Sequence, residues 1–283
     1  MVSALTLICV LLPLAFASEG GHEWNYGNCA HWGDADPKCF GKQQSPIALV
    51  TSESTTPQLA PLKFTNYDKA LFGTINLSNN GHSVEFSVPK TVKGDLPTIS
   101  GGNLPGKFEA VGVHFHWGSK GVKGSEHTVD GRQFDAEMHI VHKNVKYASV
   151  PEAVEHADGL AVLGVLFEAP KTLTRTYPAL SEIFDRLPKL VDYQSTTPLK
   201  KTMSLSHLLG DLHTTKFFSY SGSLTTPGCG EAVTWHVFPE PLQISMEHLQ
   251  NFWGIKDAHG QPLVNNFRPL QDRNDRPLYY NNA

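Results

Sequence analysis

The run Leu160-Ala161-Val162-Leu163-Gly164-Val165-Leu166-Phe167 constrains the fold more than any other stretch of this chain. It is apolar on both faces of an extended backbone, so it is expected deep in a sheet. Turn residues agree with a strand-rich chain. The 24 Gly and 19 Pro are spread evenly along the sequence, as many short strands require. Other strand-like segments are Val84–Val88, Val111–Trp117, Phe134–Val141 and Ala232–Phe238. Helical patterns are few. Leu180, Ile183, Phe184 and Leu187 recur at helical spacing after Pro178, and Ser245 is placed to cap a helix over Met246–Phe252. The fold class read from these patterns is mainly β, a single domain with short peripheral α helices.

The first residues are set apart from that domain. Ala4 to Phe16 are almost wholly apolar, and Ala15-Phe16-Ala17 has the small-x-small form of a signal-peptidase site. The run is too short to span a membrane. A cleaved signal over 1–17 and a mature domain over 18–283 are expected. Arg276-Pro277-Leu278-Tyr279-Tyr280-Asn281-Asn282-Ala283 is too polar for an anchor signal, so no membrane anchor is expected. A net charge of −4 and the lack of a basic run argue against nucleic acid as a partner. A secreted, extracellular protein is the simplest reading. Cys9 leaves with the signal, so three cysteines remain, and an odd number leaves one thiol over. Asn76-Leu77-Ser78 is a glycosylation sequon that fits secretion.

The chemistry concentrates in Val113-His114-Phe115-His116-Trp117. On a strand alternate side chains share a face, so His114 and His116 project together. In Phe134-Asp135-Ala136-Glu137-Met138-His139-Ile140-Val141-His142, Glu137 and His139 share a face by the same rule. If the two strands are neighbours, three imidazoles converge. Three neutral nitrogens plus a water are how catalytic zinc is held, whereas a structural zinc closes its shell with four protein ligands. Glu137 has a natural place behind them, because a metal-bound His usually donates its other N–H to such a group. A chance His-x-His pair is unremarkable in a chain with 14 histidines, and it is the third histidine with its carboxylate that lifts the reading. No Cys-x-x-Cys, His-Glu-x-x-His, Gly-x-Ser-x-Gly or P-loop competes. A cupin-type iron site expects a ligand Glu soon after His-x-His, and the next acid here is the distant Glu126.

With their surroundings these residues resemble the alpha-carbonic anhydrase family, from Trp24 to about Arg276. The landmarks are Trp24-Asn25-Tyr26-Gly27, Gln44-Ser45-Pro46-Ile47, Asn79-Asn80-Gly81-His82 and His114-Phe115-His116-Trp117-Gly118. Next come Gly124-Ser125-Glu126-His127-Thr128-Val129-Asp130, Glu137-Met138-His139-Ile140-Val141-His142 and Asp158-Gly159-Leu160-Ala161-Val162-Leu163-Gly164. Gly222-Ser223-Leu224-Thr225-Thr226-Pro227 and Asn266-Phe267-Arg268-Pro269 complete the series.

The resemblance implies a large twisted, mostly antiparallel sheet with short helices outside. It implies one zinc ion on His114, His116 and His139, carrying a hydroxide that attacks carbon dioxide to give bicarbonate. The low pKa of zinc-bound water is taken over from the family as a general property. Thr225 would accept the proton of that hydroxide in a hydrogen bond and pass its own to Glu126, orienting the attacking lone pair. Thr226 would contact bicarbonate. Val141, Val162, Leu224, Val233 and Trp235 would form an apolar pocket for carbon dioxide. His82 matches the proton shuttle, Tyr26 and Asn80 order the intervening waters, and Glu137 and Asn266 support the ligands. Cys39 and Cys229 match the pair that secreted members join. Cys29 is then left over, so the chain is a monomer or a dimer linked through it.

Two positions depart from the family pattern. Gly112 stands where many members carry a Gln that hydrogen-bonds the first zinc histidine, which implies a modest loss of metal affinity. Glu85 stands where Gln or Asn is common, and its charge is expected to raise the pKa of the zinc water or of His82. A non-catalytic binding module of this family is the alternative reading, although such relatives typically lack a zinc histidine. Ester hydrolysis is expected only as a side reaction. pH control, ion transport and mineral formation are all compatible roles.

Overall fold

The computed structural model describes residues 24–282, so the expected signal segment lies outside the described residues. Its strands begin with β1 Ala48–Leu49, β2 Ala60–Thr65, β3 Asn76–Asn79, β4 Val84–Ser87 and β5 Thr98–Gly102. β6 Phe108–Trp117, β7 Thr128–Val129, β8 Arg132–Gln133, β9 Ala136–Asn144 and β10 Leu160–Glu168 follow. Last are β11 Thr196–Pro198, β12 Lys216–Gly222, β13 Val233–Gln243 and β14 Tyr279–Asn282. Eleven of these form one sheet. Its main path runs β11-β3-β4-β6-β9-β10-β13-β12-β14, and β2 joins through β5 to β6. Every pairing in it is antiparallel except β10 with β13. The mainly β, mostly antiparallel fold is therefore observed.

The all-apolar run lies where its composition requires. β10 pairs antiparallel with β9 and parallel with β13, and all of its residues but Glu168 are buried. Alternation then divides the interior in two. One face presents Val113, Phe115, Trp117, Met138 and Ile140 to the larger core. Two helices cover it, Pro178–Phe184 and Met246–Trp253, with Phe184 and Phe252 against Phe115. Pro178 opens the first helix, where a missing N–H costs nothing, while Leu187 falls in the next 3-10 turn. Ser245 caps the second by accepting the His248 N–H at 3.0 Å. The opposite face carries Val141, Val162, Val233 and Trp235 in a second cluster, and the site lies on this side. No helix among the described residues is long and apolar enough to cross a membrane.

Cys39 and Cys229 form a disulfide across 190 positions of sequence. Cross-linking so long a loop removes freedom from the unfolded chain, an effect of about 2–5 kcal/mol in secreted domains. Cys229 also donates its N–H to Thr226 at 2.9 Å, which ties the bridge to the loop carrying Thr225. Cys29 is free and half-buried. Its thiol donates to the Tyr26 carbonyl at 3.0 Å, and burial pushes it up to about 12.

Candidate metal centre and its cleft

β6 and β9 are adjacent and antiparallel, with His114 opposite His139 and His116 opposite Glu137. Facing residues in such a pair project to the same side, so the four side chains gather on one face. The register depends on a bulge. Ala110 pairs with His142 but Gly112 pairs with Val141, which leaves Val111 as the extra residue. A one-residue slip would turn the histidines into the larger core.

The ring nitrogens converge. His139 Nδ1 lies 3.1 Å from His116 Nε2 and 3.2 Å from His114 Nε2. Tetrahedral ligands about 2.0–2.1 Å from a zinc ion would stand roughly 3.3–3.4 Å apart, close to this spacing. Protons are already committed elsewhere. His139 Nε2–H donates to Glu137 Oε1 at 2.8 Å, and His116 Nδ1–H donates to the Asn266 carbonyl at 2.8 Å. The facing nitrogens of His116 and His139 therefore present bare lone pairs to each other, which a shared cation reconciles. Burial, the largest cause in each case, lowers the pKa of all three histidines, His116 to about 4, so an added proton is disfavoured. The residues present fit a zinc ion.

Behind the ligands is a network that sequence reasoning did not reach. His127 is fully buried, with Nδ1 2.7 Å from Glu137 Oε1 and Nε2 2.7 Å from the Tyr220 hydroxyl. Burial alone would raise Glu137, but its interactions with His127 and His139 outweigh that and hold it well below the usual carboxylate range. The available signal was Glu137 itself, since a buried carboxylate needs more than one donor. Asn266 is equally committed. Its Oδ1 accepts the Trp117 N–H at 2.7 Å, and its Nδ2 donates to the His82 and Phe115 carbonyls at 3.0 and 3.1 Å.

Glu126 is buried beside the ligands, with Oε1 3.5 Å from His116 Nδ1 and accepting the Arg268 N–H at 2.9 Å. Burial raises it to about 7 and the neighbouring Thr225 side chain opposes that rise, while Glu126 Oε2 has no hydrogen-bond partner among the described residues. Thr225 is thus beside Glu126, and with Thr226 it lines the cleft.

The cleft holds space of about 70 Å³. Val141, Val162, Leu224 and Trp235 line one side, where the structure adds Val150 and Leu160. Val233 does not reach the lining. It is buried behind the cleft in the same apolar cluster. The polar side carries Tyr26, Asn80, His82, Ser83 and Glu85. Asn80 shapes the turn between β3 and β4. Its Oδ1 accepts the N–H groups of His82 and Ser83 at 2.9 and 2.7 Å, and Gly81 supplies the positive φ of 86°. The His82 ring stacks on Trp24 with centroids 3.7 Å apart, and burial lowers its pKa to about 4 against an opposing pull from Asp257.

Fold and site together define a sheet-based metalloenzyme with a three-histidine centre at the foot of a half-apolar cleft. A family model described as eukaryotic-type carbonic anhydrase matches residues 27–282. Carbonic anhydrase 7 of Homo sapiens is 37% identical over 262 residues, covering 89% of this chain and 94% of the relative. Carbonic anhydrase 15 of Mus musculus is 36% identical over 95% of this chain and 86% of the relative. For carbonic anhydrase 6 of Bos taurus the identity is 35%, over 97% and 85%. This chain belongs to the alpha-class carbonic anhydrases, a zinc-dependent family of enzymes that hydrate carbon dioxide.

Proposed function

We propose that this chain catalyses the reversible hydration of carbon dioxide to bicarbonate and a proton at one zinc ion. The observation that carries the reading is the convergence of three ring nitrogens, two of which, on His116 and His139, are bare because the other N–H of each ring is held by an acceptor behind it. His114 and His116 would hold the ion through Nε2 and His139 through Nδ1. Bound there, zinc supplies a water acidic enough to become a nucleophile near neutral pH. Glu137 and the Asn266 carbonyl keep two of the rings in the ligating tautomer. Thr225 accepts the proton of the attacking oxygen and donates its own to Glu126, which selects one orientation of the nucleophile. Carbon dioxide has no net dipole, so Val141, Val162, Leu224 and Trp235 receive it without loss of hydrogen bonds. Val233 supports that wall from behind, and Thr226 contacts the bicarbonate formed.

His82 takes the proton outward. Against Trp24 its ring is too weak a base for that at neutral pH, so the shuttle includes a swing off the stack towards solvent, where an imidazole titrates near 6.5. Tyr26 and Asn80 flank the water path. The intact histidine triad weighs against a non-catalytic binding module.

Secretion is part of the same reading. The Cys39–Cys229 bridge suits an oxidising compartment. Asn76 is exposed at the start of β3, open to a glycosyltransferase. The half-buried, hydrogen-bonded thiol of Cys29 favours a monomer, which would run at one position on reducing and non-reducing gels. The decisive measurement is stopped-flow carbon dioxide hydration on metal-quantified protein, with and without a chelator. Activity should track zinc content, and zinc-loaded protein without hydration would leave only the binding module.

A further inference from the structure

Among the described residues, those lining the cleft include no Lys or Arg, and Glu85 is the one acid. It sits on β4 directly opposite His114, and the β-carbons of such facing residues are about 5 Å apart. The side chain is only 7% exposed. The Asn80 side chain is its hydrogen-bond partner on the cleft lining. Other charged groups near the cleft do not cancel the Glu85 charge. Asp257 acts on His82 at the rim and is itself acidic, Glu126 and Glu137 are buried in the wall, and Arg268 is spent on Gln44 Oε1 and the carbonyls of Ser45 and Cys39. A carboxylate so placed imposes a negative potential on anything held at the histidine centre. Screening by water is weak there because the group is nearly buried.

We propose that Glu85 is an anion-repelling specificity residue. It weakens the hold of the centre on bicarbonate and on other small anions while leaving uncharged ligands unaffected. The inference rests on the zinc reading above and concerns how tightly the centre holds its charged ligand, not the position of the equilibrium. Carbon dioxide enters without charge and meets no barrier from Glu85, whereas the product leaves as an anion from a site that disfavours it. Product release is favoured, and anions that compete for the centre are held off.

The test uses the cobalt(II)-loaded mature protein over about pH 6 to 9 and reads binding from the visible absorption of the metal, with every affinity referred to the form of the centre that carries neutral water, because a bound hydroxide is itself an anion that Glu85 would repel. Metal content is measured first. Thiocyanate and bicarbonate are then titrated as anions, and imidazole as a neutral ligand. In Glu85→Gln, which keeps the shape and the oxygen facing Asn80, both anions should bind about three- to tenfold more tightly. Imidazole affinity should stay within about twofold. Glu85→Asp should restore the wild-type preference. Equal anion affinities in wild type and Glu85→Gln, with metal bound in both, would overturn the proposal and leave the zinc reading standing. Parallel tightening of imidazole would also overturn it, because that outcome marks a change of shape rather than of charge. Failure of the wild type to bind metal would overturn the zinc reading and this proposal with it.

Discussion

At the scale of single residues, His114 differs from its two companions. His116 and His139 each anchor the nitrogen that faces away from the centre, to Asn266 and Glu137. The Nδ1 of His114 finds no protein partner among the described residues, and Gly112, two positions before it on the same face, has no side chain to offer. An unanchored ring loses orientational freedom on binding metal, so zinc should leave sooner. Gly112→Gln should slow zinc release by about tenfold, the lower end for such supporting partners. Chelator-driven release followed with a zinc-sensitive dye checks this, and an unchanged rate would show that His114 needs no anchor. The histidines, Glu126 and Thr225 were legible in the sequence because alternation and family motifs fix them locally. His127 with Tyr220, and the wall residues Val150 and Leu160, were not. Their contributions depend on which distant strands meet, and nothing in their own segments records that.

Among the elements, β6 has the most demanding task, because it must deliver two ligands to one face and Val113, Phe115 and Trp117 to the other. The bulge at Val111 lets the strand keep its pairing with β9 at both ends while placing His114 opposite His139. Deleting Val111 forces a choice. Either the N-terminal half of β6 loses its register, or the histidines rotate into the core. Zinc affinity should fall at least a hundredfold, measured by competition with a chelator, and retained affinity would mean that the ladder absorbs the deletion elsewhere. Strand existence was readable from apolar runs, and the helix at Ser245 from its cap. The bulge was not, since an extra residue in a ladder is defined only against its partner strand. Short helices such as Val150–Val154 were missed because they span barely a turn and leave no periodic trace.

For the molecule as a whole, the response to acid follows from histidines far from the metal. His142 and His236 are fully buried on the core face, and burial lowers each to about 3. His142 is hydrogen-bonded to the Ala161 carbonyl and the Tyr67 hydroxyl, but neither nitrogen of His236 has a partner among the described residues. Between about pH 6.5 and pH 3 the unfolded chain takes up these two protons and the folded chain does not. Stability is therefore complete above about 6.5 and falls as the pH drops through that window, by up to about 1.4 kcal/mol per pH unit for each group. His236→Leu removes one of the two proton sites together with two unpaired polar atoms in an apolar setting beside Phe217. Urea unfolding at pH 7.5 should show the variant about 1–3 kcal/mol more stable than wild type, the ordinary cost of an unpaired buried polar group. At pH 5 the gap should widen, because only the wild type still carries this proton linkage. A variant that is less stable at pH 7.5, or a gap that does not grow on acidification, would mean that the His236 ring is satisfied in the folded protein and titrates alike in both states.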